Sequence, residues 1–200
     1  LGDVYKRQVI KDLMNPNGHP VPLDFNLVIL HLLAKKPSSH ANGIPAYTPE
    51  NTRLISVVNT DNRIIASALN QLIATKANEH CHFSQRGFLA GRSIVKNILD
   101  IDFATQSAKV QLKNGALILV DIKAAFPSLS HTYLFALLEH IGLPLPYLTA
   151  IRKLYHNNQH QVLVKGQLFP SITIHSGVRQ ATPLSPTLYA LAIDPQLYSI

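Results

Sequence analysis

Apolar positions fall into several distinct rhythms along the chain, and each rhythm predicts an element. Residues 25–36, FNLVILHLLAKK, form an apolar run closed by two lysines, readable as a strand or a short helix. From Thr60 the spacing turns helical. Ile64, Ile65, Ala68, Leu69, Leu72 and Ile73 recur on one side, with Thr60 or Asp61 as the cap. A second helix is predicted from Ser93, with Ile94, Ile98, Ile101, Thr105 and Ala108 on one face. Asn114-Gly115 reads as a turn. Residues 116–122 then run apolar without alternation, which predicts a strand covered on both faces. Ser130 caps a helix whose stripe is Leu134, Leu137, Leu138 and Ile141; Gly142 ends it and Pro144 blocks its continuation. A short helix follows over 146–158. Residues 160–176 alternate on both sides of Lys165-Gly166, as a β-hairpin does. The last helix begins at Ser185-Pro186, with proline in its first turn. Strands and helices in this mixture predict an α+β fold.

Between these elements lie loops rich in proline and glycine, at 15–24, 37–51, 81–93 and 177–186. The opening LGDVYKRQ matches nothing that follows and is expected to be an assembly artefact, with residues 1–24 an N-terminal tail. The chain starts at Leu1 and reads as a fragment.

Charge narrows the classes. Eighteen Lys+Arg against eleven Asp+Glu give a net charge of +7 and a pI near 9.6, which suggests a polyanionic partner, nucleic acid before membrane. No apolar stretch reaches the ~18 residues a membrane helix needs. The one cysteine, Cys81, excludes an internal disulfide framework and suits a reducing, intracellular compartment.

Asp121 closes the apolar run of 116–120. A carboxylate at a strand end can hold Mg²⁺, with the Ile122 carbonyl beside it; it can equally meet solvent or cap a turn. Phe126 precedes Pro127, which predicts an extended backbone and a ring held at a fixed place. In GVRQATPLSP (177–186), a loop with Arg179 and Gln180 opens onto a helix start, where free N–H groups favour phosphate. Lys35, Lys36 and Arg53 supply cations for phosphate, and QRGFLAGRS (85–93) places Arg86 and Arg92 among glycines. His80, Cys81 and His82 lack the spacing of a zinc site.

Taken in order, the blocks TRLISVVNTDNRIIASALNQLI, FSQRGFLAGRSIVKNI, LVDIKAAFPSLSH and GVRQATPLSPTLYALAIDP resemble the reverse transcriptase domain of non-LTR (LINE-type) retrotransposons. The likeness runs from about Leu27 to the end. It implies a right-hand polymerase with fingers over 25–114 and a partial palm over 115–200, the latter including the hairpin at 160–176. It implies RNA-directed DNA synthesis on an RNA template from a DNA primer with dNTPs, using two Mg²⁺ ions (Mn²⁺ as an alternative). Asp121 falls on the first catalytic aspartate and, with the Ile122 carbonyl, on the metal site. Phe126 falls on the aromatic that screens the sugar, and Gln180 on the residue beside the nucleotide. Arg53 and Lys35 or Lys36 fall on fingers cations facing the triphosphate. Gly87, Phe88, Gly91 and Arg92 match a template-side block, and Gly177 and Arg179 fall in the second palm block, toward template and primer.

Three positions depart from the pattern. Leu54 stands for a proline, Pro127 for an aspartate, and Ala181 for a glycine; the last is costly if the position needs positive φ. The family's paired aspartates, in a hairpin, would fall beyond Ile200, so this chain is expected not to polymerise alone. A nucleic-acid-binding remnant of a decayed element, an unrelated basic α+β domain, and group II intron or telomerase relatives remain as alternatives.

Overall fold

The computed structural model describes residues 2–112 and 114–198. It is a mixed α+β structure, as the pattern predicts. A helical layer carries the main core. The helices are α1 (Gly2–Met14), α2 (Thr60–His80), α3 (Ile94–Val110), α4 (Ala125–Ser128), α5 (His131–His140), α6 (Leu145–Tyr155) and α7 (Ser185–Ile193). Leu69, Leu134, Leu138, Leu148, Ile151, Leu184 and Leu188 are fully buried where α2, α5, α6 and α7 meet. Fully burying such a side chain stabilises by about 1.5–3 kcal/mol. This layer is therefore the rigid base for the loops above it.

The strands are β1 (Val28–Ala34), β2 (Ser39–Ala41), β3 (Ile44–Ala46), β4 (Thr52–Val58), β5 (Gln159–Val164), β6 (Gln167–Leu168) and β7 (Ile172–Thr173). The apolar run at 25–36 is thus a strand. The larger sheet has the order β4-β1-β5-β6, with β7 also on β5. β1 is antiparallel to β4 and parallel to β5. The hairpin at 160–176 turns at Lys165-Gly166, both at positive φ (50° and 79°), as a two-residue turn requires. Its return arm pairs in two pieces, first at β6 and then at β7.

The caps follow local chemistry. Ser93 accepts from the Val95 N–H and Ser130 from the Tyr133 N–H, as predicted. Asn59, not Thr60 or Asp61, caps α2, accepting from the Asp61 N–H. Gly142 ends α5 with φ 74°.

Four expectations are corrected. Residues 116–122 form no strand, and Ile118 and Val120 are 81% and 84% exposed. A strand needs neighbours to satisfy its N–H and C=O groups, and among the described residues none pairs with this run. The predicted inner face of α3 is also uncovered: Ile94, Ile98 and Ile101 are exposed, and the helix buries nothing. The turn before the run falls at Gln111–Leu112, with Leu112 at φ 53°, rather than at Asn114-Gly115. The N-terminal stretch is no formless tail. α1 puts Leu13 into the core, and Lys153 Nζ donates to the carbonyls of Asp12 in its last turn and of Asn15 and His19 beyond it.

Candidate active site

Two loops distant in sequence are locked together by backbone. Val178 N–H donates to the Phe126 carbonyl (2.9 Å) and Gly177 N–H to the Leu129 carbonyl (2.6 Å). Ser130 and Ser176 form a bridge. From the other side, His131 Nε2 donates to the Gly177 carbonyl at 2.8 Å. Burial, acting first, lowers the His131 pKa, against the hydrogen bond to Gly177, which raises it. Gly177 has φ 89°, and a Cβ there would lie 2.8 Å from both Cα and O of Pro127. Only glycine permits that approach.

The clamp places Phe126 and Gln180 in one neighbourhood. Phe126 is not extended, as its proline predicted. It sits in the single turn α4, where Pro127 occupies a first-turn position whose N–H would have no helical partner anyway. Ala124 enters that turn at φ 52°. The Phe126 ring stacks on Tyr189 of α7 (4.8 Å, 12°) and meets Phe88 edge-on at 5.8 Å. Gln180 is half-buried and borders a groove of about 190 Å³, together with Gly177, Pro127, Ser56, Leu54 and His160. Ala181 follows at φ 73°. The glycine that the pattern leads one to expect there would have been free of that strain.

Arg179 does not face a ligand. It is 4% exposed, and its guanidinium donates to Asn158 Oδ1 (2.7 and 3.1 Å), the Leu154 carbonyl (2.8 Å), Asn26 Oδ1 and Asn62 Oδ1. It also lies over the Tyr155 ring at 5.3 Å. Among the described residues no carboxylate pairs with it, and burial brings its pKa down to about 10. Arg92 is likewise internal. It donates to the carbonyls of Asn78, Cys81, His82 and Gln85 and to Asn78 Oδ1, closing the end of α2. Both arginines, expected toward template or primer, have their donors consumed by the fold.

Gly87 N–H is bonded to Gln85 Oε1, Gly91 turns at φ 75°, and Phe88 is 60% exposed. Of the template-side block, Phe88 alone offers an open ring.

The cations expected to face a triphosphate sit elsewhere. Lys35 N–H donates to the Asn51 carbonyl, which extends the β1–β4 register, and Arg53 lies opposite Leu33. Strand alternation therefore puts Lys35 and Arg53 on one face, and Leu54 and Ser56, which border the groove under Gln180, on the other. Lys36 is also exposed. The same register explains Leu54. It faces Leu32 in a non-hydrogen-bonded pair on the sheet's edge strand, where its N–H points outward and proline is equally compatible.

Asp121 is exposed, next to the exposed Ile122. Two residues on, Lys123 comes within electrostatic reach of Glu50, in the short turn before β4. The Glu50 carboxyl is held below its ordinary pKa first by its own N–H, then by the Thr48 hydroxyl, with a smaller contribution from Lys123. Among the described residues there is no group of three or more His, Cys, Asp or Glu able to hold a metal ion. One carboxylate with one carbonyl does not fit a two-metal centre. Asp194 offers no substitute: it is 1% exposed and accepts from the His82 N–H. His82 and Cys81 thereby become a structural junction. The Cys81 thiol is pushed up to about 11, chiefly by burial.

The family model for reverse transcriptase (RNA-dependent DNA polymerase) matches residues 34–200. The chain belongs to the reverse transcriptase family. A Xenopus laevis relative, the transposon TX1 uncharacterized 149 kDa protein, is 27% identical over 95% of the chain. The retrovirus-related Pol polyprotein from the type-2 retrotransposable element R2DM of Drosophila melanogaster is 26% identical over 78% of it. A type-1 element R2 polyprotein from Nasonia vitripennis is 27% identical over 64%. The chain spans 13–15% of these relatives' lengths. The likeness to non-LTR retrotransposon enzymes read from the four blocks therefore stands.

Sequence reasoning missed the residues that build this candidate site without facing it: Asn26, Asn62 and Asn158 around Arg179, and His131 behind Gly177. No local signal marks an asparagine as the partner of an arginine 153 positions away.

Proposed function

We propose that the chain forms the fingers and the first part of the palm of an RNA-directed DNA polymerase. In this reading the parent enzyme extends a DNA primer on an RNA template with dNTPs. Its Mg²⁺ (or Mn²⁺) centre draws on Asp121 and on carboxylates outside residues 1–200. The observation that carries it is the backbone clamp of Gly177-Val178 on Phe126–Leu129. It joins the two palm blocks, so that the sugar-screening candidate Phe126 and the nucleotide-side candidate Gln180 move as one body near Asp121. Lys35 and Arg53 would reach a triphosphate only after the β1–β4 ribbon turns its outer face toward that body.

The isolated chain does not polymerise, because a lone carboxylate cannot hold both ions of the in-line transfer. Primer extension on an RNA template is expected to stay at the level of the Asp121→Ala variant. Extension above that level refutes incompleteness. A second reading, a nucleic-acid-binding remnant without catalysis, draws on the solitary Asp121 and the strained Ala181. RNA binding that falls with salt and survives Asp121→Ala would favour it.

A further inference from the structure

Phe88 carries an aromatic ring on a backbone angle that disfavours one. Its φ is 62°, a left-handed value that is uncommon for a bulky side chain and costs energy to hold. The surroundings enforce it. Gly87 N–H is tied to Gln85 Oε1, Leu89 is buried in the core, and Arg92 bonds to the carbonyls of Asn78, Cys81, His82 and Gln85. Burial does not explain the ring's place, since Phe88 is 60% exposed. Its aromatic neighbour is Phe126, met edge-on at 5.8 Å. Ala124, two residues before Phe126, and Ala181, in the clamp loop, are also at positive φ (52° and 73°). Backbone strain of this kind persists where a fold over-determines it, and it gathers at functional sites.

The Phe126 ring is thus held from two sides by unequal means. Tyr189, on α7 and 6% exposed, stacks flat on it at 4.8 Å and 12° and forms a fixed wall. Phe88 is the open, loop-borne side. Without it the ring rests on Tyr189 alone and can tilt away from what it screens. A group that selects by shape must be held to within about 0.5 Å.

We propose that Phe88 is a positioning residue for sugar selection: it fixes the Phe126 ring and so sets the preference for deoxynucleotides over ribonucleotides. The inference rests on the reading of Phe126 as the ring that screens the sugar. It adds that this screen is adjusted from the 85–92 loop, the block expected toward the template. Template and sugar are then sensed through one pair of rings.

The test measures binding of dATP and of ATP, each with Mg²⁺, to the whole 200-residue chain by equilibrium dialysis. The parent chain is expected to bind dATP more tightly than ATP, and Phe126→Ala to erase that preference. Phe88→Gly removes the ring while relieving the backbone, so its effect is not one of misfolding. It should lose about fivefold of the preference, through tighter ATP binding, as suits the size of an edge-to-face ring pair. Phe88→Tyr keeps the ring and should keep the preference. Phe83→Ala removes another exposed ring nearby, one that packs on His82, and should leave the preference unchanged. A preference intact in Phe88→Gly, or lost equally in Phe88→Tyr or Phe83→Ala, overturns this inference and leaves the reading of Phe126 standing. No preference in the parent chain, or no binding of either nucleotide, overturns both.

Discussion

Ala181→Gly should stabilise this protein, although glycine substitutions usually do the reverse. Ala181 holds φ 73°, where the methyl crowds the following carbonyl at a cost of about 1–2 kcal/mol. Glycine removes that crowding but gives the unfolded chain more freedom, about 0.4–1 kcal/mol. Ala181 is exposed, so deleting its methyl forfeits little packing. The balance is a gain of about 0.5–1 kcal/mol, or about 1–4 °C in Tm for a chain of this size. Urea unfolding followed by circular dichroism should show a raised midpoint at unchanged slope. The opposite substitution nearby is the internal control. Gly177→Ala meets the same left-handed penalty and in addition the Pro127 backbone at 2.8 Å, so it should destabilise by about 2 kcal/mol or more. A fall in midpoint for Ala181→Gly, or a harmless Gly177→Ala, would refute the claim that backbone geometry in this loop decides both positions.

Two further outcomes follow from the buried polar cluster. Arg179→Met should cost about 1–3 kcal/mol in urea unfolding, because it takes a donor from the buried oxygens of Asn26, Asn62 and Asn158, of which Asn26 keeps Asn62 Nδ2 and Asn158 keeps His160 as donors; a neutral result would mean that the vacated acceptors find water. His160 has its pKa pushed down to about 4, first by burial and then by the Arg179 charge. Its folded value lies below the unfolded one, so the unfolded chain binds the extra proton and stability falls as pH drops from about 6.5 toward about 4. His160→Gln should flatten that part of a stability–pH profile, and an unchanged slope would rule out His160 as its source.

Local signals were legible where one residue's chemistry decides an element. Ser93 and Ser130 cap, Gly142 stops, and Lys165-Gly166 turns, each for reasons contained within a few positions. The apolar pattern also named the core side of α5 correctly through Leu134 and Leu138. It failed at α3 and at 116–122, because periodicity tells which side is apolar and not whether anything covers it. Phe126 was misplaced because the bias that proline imposes on its predecessor was outweighed by a turn in which that proline is tolerated. Arg179 and Arg92 looked like ligand-facing cations because charge suggests a surface. Their partners are carbonyls and amides, which composition does not flag. Ala181 was the opposite case: a glycine missing from a pattern pointed to a backbone angle that the structure carries.

α3 has a mechanical consequence that its exposure alone does not convey. Arg86, itself buried, bonds to Asn97 and Asp100 at 2.8 and 2.6 Å, and the helix buries no apolar residue. Its attachment is therefore electrostatic, while its neighbours are held by oil. Raising the ionic strength loosens the first kind of contact and leaves the second intact. The helix should accordingly behave as its own opening unit, exchanging its amide protons faster in high salt while the α5–α6 core keeps its protection.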